Sequence, residues 1–160
     1  MRIAIDDLSG TGIAELLAGH LAEVRAQSPP ESSHALDLDA LRRPGVSVWA
    51  VHDAGTLVGC GALKELDPDG AEIKSMRTAP QAQRRGVASA LLGHLIGVAR
   101  DRGYRSLYLE TGTTAFFAPA RRLYARHGFV RCPPFADYPD DPNSVHMRLD
   151  LPTGCDRTIM

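Results

Sequence analysis

Apolar positions along the chain follow two repeats, one of two residues and one of three to four, and their succession sets out the fold. From Gly86 the run carries Val87, Leu91, Leu95 and Val98 on one stripe, with Ala88, Leu92, Ile96 and Ala99 beside it. That spacing predicts a long helix with one buried face, closed by Gly103 at a C′-like position. A second helix is predicted over Ile13 to Ala26, with Ile13, Leu16, Leu17, Leu21 and Val24 on its apolar side and Ser28-Pro29-Pro30 stopping it. Asp37 is a plausible N-cap for a short helix reaching Arg43, ended by Pro44-Gly45. A last helix carries Pro119 in its first turn and Ala120, Leu123 and Tyr124 at helical spacing, and His127-Gly128 ends it.

The two-residue repeat predicts the strands. Met1 to Asp6, Val46 to His52, Thr56 to Leu66, Ala71 to Thr78, Arg105 to Glu110, a strand beginning at Phe129-Val130, and Val145 to Leu151 are β runs. Asp53-Ala54-Gly55 and Asp67-Pro68-Asp69-Gly70 are tight turns, which makes the early strands an antiparallel meander. Gly59 and Gly61 either weaken their strand or mark a close backbone approach. Ala71–Thr78, the long helix and Arg105–Glu110 form a right-handed crossover, so these two strands should be parallel. A switch from antiparallel to parallel pairing opens a crevice at strand ends, where ligands bind in open α/β sheets. The expectation is one α/β domain over residues 1–151 and a tail over 152–160 with little to bury.

Composition narrows the function. A chain of 160 residues buries roughly 70% of its unfolded surface, enough for a core without staples. A net charge of −1 disfavours nucleic acid as a partner. With no N-terminal signal pattern and no long apolar run, the reading is a soluble, cytoplasmic protein without membrane contact. Cys60, Cys132 and Cys155 form no metal or redox motif, and Cys60 reads as a small core residue. The six histidines form no H-E-x-x-H pair, so no metal is inferred.

Candidate chemistry gathers at the junction Gln83-Arg84-Arg85-Gly86-Val87-Ala88, between the fourth strand and the long helix. The first turn of a helix has N–H groups without internal partners and partial positive charge. Gly86 and Ala88 allow a diphosphate to approach closely. Arg84 and Arg85 oppose the helix dipole, so their presence points to an anion; the alternative is an ordinary solvated loop. There is no G-x-x-x-x-G-K-[ST] and no G-x-G-x-x-G after a strand.

What remains, Q-x-x-G-x-A, resembles the acetyl-CoA loop [QR]-x-x-G-x-[GA] of the GCN5-related N-acetyltransferase (GNAT) family. Ala120-x-x-Leu123-Tyr124-x-x-x-Gly128-Phe129 is similar to a second hallmark of that family, at its usual distance downstream. The resemblance covers about Met1 to Leu151, and ESSHALDLDALRRP, CGALKEL, LETG and PFADYPDDPNS resemble a YsnE-like bacterial subgroup. It implies a GNAT-type α/β fold: a mixed, mostly antiparallel sheet with a central parallel β-α-β unit and flanking helices. It also implies N-acetyl transfer from acetyl-CoA, as co-substrate, to a small-molecule amine. Dimers are common in the family, so a homodimer stays open.

Residue by residue, the resemblance assigns Gln83, Arg84, Arg85, Gly86, Val87 and Ala88 to the pyrophosphate loop, and the backbone of Met76 and Thr78 to the pantetheine arm. Tyr124 stands where a general acid is common and Glu72 where some members carry a catalytic glutamate. Glu110 is a further candidate base; Glu72 could instead be an exposed partner of Lys64 or Lys74. His34, Asp137 and Tyr138 are candidates for the acceptor side, with loop solubility as the competing reading. Phe117 departs from the asparagine many members carry seven residues before the tyrosine; Thr113 or Thr114 are candidate substitutes.

The chemistry asks for these residue types. With a pKa near 10.4, only about one alkylamine in two thousand is neutral and nucleophilic at pH 7. A carboxylate, directly or through water, can take the proton, and a tyrosine hydroxyl near the sulfur can protonate the leaving thiolate, a factor of about 10² to 10⁴. The expectation is direct attack with no acyl-enzyme required: no cysteine is placed convincingly for one, and Ser89 is a poor nucleophile candidate. Primary amines, amino acids and protein lysines all remain open as acceptors, with small amines or amino acids favoured. The alternative is a CoA-binding sensor or interaction module that has lost turnover, a reading that Phe117 sustains.

Overall fold

The alternating β2 segment Val46–Asp53 shows how the sheet is covered: Val48 and Ala50 face one layer, Trp49 and Val51 the other, and all four are buried. A computed structural model describes residues 1–32 and 35–152. It contains seven strands: β1 (Arg2–Asp6), β2, β3 (Thr56–Asp67), β4 (Gly70–Thr78), β5 (Ser106–Gly112), β6 (Val130–Arg131) and β7 (Ser144–Asp150). Their order is β1-β2-β3-β4-β5-β7-β6, and every neighbouring pair is antiparallel except β4–β5. The expected mixed sheet around one parallel crossover is therefore observed.

Helices cover both faces. On one side Ile13 and Leu17 of α1 (Thr11–Gln27) and Leu41 of α2 (Leu38–Leu41) pack with Val48, Ala50, Cys60 and Ala62. Asp37 caps α2, accepting a hydrogen bond from the Ala40 N–H at 2.8 Å. On the other side α3 (Val87–Asp101) and α4 (Ala118–Arg126) close the larger core, which includes Val87, Leu91, Leu95, Leu107, Leu109 and Phe129. Fully burying one such aliphatic side chain contributes about 1.5–3 kcal/mol. Among the described residues no helix is long and apolar enough to cross a membrane.

The glycines of β3 set how closely α3 lies on the sheet. A Cβ on Gly61 would stand 2.8 Å from Met76 Sδ and 3.1 Å from Leu91 Cδ2; one on Gly59 would stand 2.9 Å from Val87 Cγ1. The close-approach reading of these two residues is correct. Opposite Gly61, β4 carries an extra residue: Cys60 pairs with Arg77 but Ala62 pairs with Lys74. Ser75 in this bulge has φ +55, a left-handed conformation costing a non-glycine residue roughly 1–2 kcal/mol. The expected tail falls almost wholly outside the described residues, since only Pro152 of it is described.

Candidate active site

β4 and β5 are paired only at Gly70–Ser106, Ala71–Leu107 and Glu72–Tyr108. Beyond Glu72 the strands part, although β4 runs on to Thr78 and β5 to Gly112. The β5-facing side of β4 from Ile73 to Thr78 thus has no strand partner among the described residues. An open edge of this kind accepts an extended, amide-bearing ligand as an added strand. Met76 stands at this edge, half-buried, and Thr78 lies at its end.

The edge leads to the start of α3. Gly86 is its N-cap with φ +80, and a Cβ there would meet nothing within 4 Å. Glycine is needed at this position for its backbone angle rather than for room. Arg84 is also left-handed, at φ +66. Gln83, Arg84, Arg85 and Gly86 are exposed, Ala88 is half-buried, and Val87 turns into the core. The first turn of α3 contains no acidic residue and no side chain caps it. These features fit a diphosphate: exposed N–H groups, dipole and guanidinium charge all favour an anion there.

At the other end of the parting is a cavity of about 120 Å³. Glu72 to Met76 of β4, Glu110 to Gly112 of β5, His20 of α1, and Phe117, Ala120 and Tyr124 line it. Phe117 packs its ring directly over Gly112, where no Cβ could fit. Thr113 and Thr114 are exposed and do not line the cavity.

Glu72 is 2% exposed, which rules out a solvated cross-strand partner. Lys64 is its register partner on β3, but the ion pair is with Lys74, Nζ to Oε2 at 3.4 Å. Tyr138 joins them: Lys74 Nζ donates to the Tyr138 hydroxyl at 2.7 Å, and that hydroxyl donates to Glu72 Oε2 at 2.5 Å. Burial, reinforced by the Glu72 charge, pushes the Tyr138 phenol well above its ordinary value. The 132–143 loop carrying Tyr138 is held down by Phe135, whose ring lies 4.8 Å from Tyr108 and 5.5 Å from His146, and by a hydrogen bond from the Ser32 hydroxyl to Asp141. Asp137, by contrast, is exposed and does not line the cavity. His34 lies outside the described residues.

Two further groups have shifted acidities. Burial raises the Glu110 carboxyl to about 7, and burial together with the Glu110 charge raises the Tyr124 phenol to about 12. Tyr124 packs edge-on against Phe129, ring centroids 5.9 Å apart, and holds its proton at neutral pH. Burial, aided by the charge of Arg77, lowers His20 to about 4, so its imidazole is neutral. Arg77 itself is taken up by Glu23 in a two-pronged ion pair.

Of the residues singled out from the sequence, Glu72, Glu110 and Tyr124 line the cavity and Tyr138 bonds to Glu72; Ser75, His20 and the clamp between Ser32 and Asp141 were not anticipated. The i, i+2 spacing of Glu72 and Lys74 was the available signal, because it sets both on one face of a strand. Nothing local marks the others.

The chain matches the Acetyltransferase (GNAT) family over residues 10–129. It is 52% identical to the uncharacterized N-acetyltransferase YsnE of Bacillus subtilis over 151 residues, covering 94% of this chain and 100% of that protein. It is 51% identical to the uncharacterized N-acetyltransferase YedL of Escherichia coli, covering 93% and 94% respectively. Among solved structures, an acyl-CoA N-acyltransferase assignment from Klebsiella pneumoniae superposes with a TM-score of 0.78 at 29% identity, covering 94% of this chain and 97% of that one. The chain belongs to the GNAT acetyltransferase family and is an acetyl-CoA-dependent N-acetyltransferase.

Proposed function

We propose that this enzyme moves the acetyl group of acetyl-CoA to the primary amine of a small acceptor by direct attack. The observation that carries the reading is the parting of β4 from β5 just after Glu72, with a small, carboxylate-lined cavity at its floor and the Gly86 turn at its far end. The pyrophosphate would lie on the N–H groups of Gln83 to Ala88, beside Arg84 and Arg85. The pantetheine arm would run along Met76 and Thr78, bringing the thioester to the cavity.

There the residues divide the work. A carboxylate, Glu110 or Glu72, takes the proton of the incoming ammonium. Tyr124, protonated and buried, gives a proton to the departing sulfur. N–H groups on the open edge of β4 polarise the carbonyl. A 120 Å³ cavity is below the usual range for ligand pockets, which favours a small amine or amino acid over a protein lysine. Tyr138, hydrogen-bonded to Glu72 and Lys74 of the lining, would border the acceptor side.

The test is release of free CoA thiol from acetyl-CoA with a mixed panel of amines, amino acids and lysine peptides. The proposal expects release with small acceptors, reduced about 10²-fold or more in Tyr124→Phe. Acetylation of the lysine peptides alone, or unchanged turnover in Tyr124→Phe, would overturn it.

A further inference from the structure

The charge inventory of the cavity separates its two carboxylates. Glu72 is held by Lys74 and by Tyr138, both on Oε2, and these contacts fasten the 132–143 loop over the site. Glu110 lines the same cavity and forms no ion pair among the described residues. Of the nearby basic groups, Lys74 is committed to Glu72 and Arg77 to Glu23, His20 is neutral, and His146, the register partner of Glu110 on β7, is buried against the rings of Phe135 and Tyr138. Of the two carboxylates that line the cavity, Glu110 is therefore the one without a paired cation among the described residues. One more group is left over. Ser75, 7% exposed and forced into a left-handed turn, lines the cavity, and its Oγ is buried with no hydrogen-bond partner among the described residues.

From these placements we infer that the acceptor is a compact amine cation without a carboxylate group of its own, its ammonium held by Glu110 and Ser75, with Glu110 rather than Glu72 as the base. This rests on the acetyl-transfer reading above. An ammonium supplies the missing positive charge and donors for both Glu110 and Ser75 Oγ. An α-carboxylate would enter beside Glu72 and Glu110 with no uncommitted cation to meet it. Glu72 is a positioning residue that fixes Tyr138 and the loop.

The step balances as follows. The ammonium passes one proton to Glu110, which later releases it to solvent. The freed nitrogen pair forms the C–N bond, and the thioester C–S bond breaks with its pair moving to sulfur. Tyr124 protonates the sulfur and regains a proton from the nitrogen as the amide forms. The products are the N-acetyl amine, CoA thiol and one proton.

The experiment compares matched acceptors that differ by one carboxylate: ethylamine with alanine, ethanolamine with serine, propylamine with 2-aminobutyrate. Thiol release is read on wild type, Glu110→Gln, Glu110→Asp, Glu72→Gln and Ser75→Ala, and acetyl-CoA affinity on each by calorimetry. The expected result is kcat/KM about 10²-fold or more higher for each amine than for its carboxylated partner. Glu110→Gln should lose about 10²-fold or more in kcat and the acid limb of the pH profile, with acetyl-CoA affinity kept and partial rescue in Glu110→Asp. Ser75→Ala should raise KM for the amine, and Glu72→Gln should keep the pH profile. Equal or preferred use of the amino acids, a Glu110→Gln enzyme with an intact acid limb, or acetyl-CoA binding without release from any panel amine would overturn the inference. Failure to bind acetyl-CoA at all would instead remove the acetyl-transfer reading beneath it.

Discussion

Replacing Lys74 by methionine removes the cation from a buried pair while keeping much of its apolar stem. Glu72 and Lys74 are 3% and 8% exposed at the side chain, and their charges are 3.4 Å apart. Breaking a buried ion pair by deleting one partner costs about 3–5 kcal/mol, because the other charge remains desolvated. The same substitution removes the donor to Tyr138, leaving the loop tied by one hydrogen bond fewer. For a domain of this size each kcal/mol lowers Tm by about 2–4 °C, so Lys74→Met should melt about 6–20 °C below wild type. Glu72→Gln on the Lys74→Met background should recover a large part of that loss, with a coupling of about 2 kcal/mol or more in a double-mutant cycle. Urea and thermal melts on the four proteins measure it. A loss below about 1 kcal/mol for Lys74→Met, or strictly additive effects, would refute the argument that this pair anchors the floor of the site.

Other outcomes follow from the same geometry. Because the folded-state acidity of Glu110 is raised from 4.5 to about 7, its effect favours the folded state below 4.5 and is lost as pH rises through about 7; Glu110→Gln should therefore gain stability over wild type by about 2–3 kcal/mol between pH 4 and pH 8, read by melts at each pH. Turnover with a good amine should rise with pH through about 7 as this carboxyl ionises, and a profile flat from pH 5 to 9 would contradict its role. Gly61→Val should destabilise by about 1–3 kcal/mol, since even its Cβ collides with Met76 and crowds Leu91, and chemical denaturation measures the loss.

The parts legible in the sequence are those governed by local periodicity. The stripe from Val87 to Ala99 made α3 readable, and Asp37, Gly103 and Gly128 marked helix ends because each performs a backbone task at that point. Boundaries set by tertiary pairing were less readable. β5 extends to Gly112 rather than Glu110 because β7 supplies partners as far as Ser144. The strand expected from Phe129-Val130 comprises only Val130 and Arg131, since Phe129 is drawn into the core. The loop before α4 contains a 3₁₀ turn over Ala115–Phe117 that apolar spacing does not announce. Near the site, the strand-helix junction at Gln83 to Ala88 was legible because Gly86 performs a backbone task there, as the left-handed N-cap of α3. The bulge at Ser75 was not, because an extra residue in a ladder depends on which strand lies opposite. The closure of Tyr138 over Glu72 joins positions 66 residues apart, a contact that only the folded chain creates.

The central claim is that the Gly86 turn and the β4 edge hold acetyl-CoA. Thermal unfolding of wild type and Gly86→Glu with saturating acetyl-CoA, against ATP and NAD as controls, tests it most directly. A ligand at one hundred times its Kd adds about 2.7 kcal/mol, a rise of about 5–11 °C. The account predicts that rise with acetyl-CoA alone and its loss in Gly86→Glu, where a side chain and a negative charge enter at a φ of +80 in the diphosphate position. No rise in wild type, or an equal rise in Gly86→Glu, would contradict it.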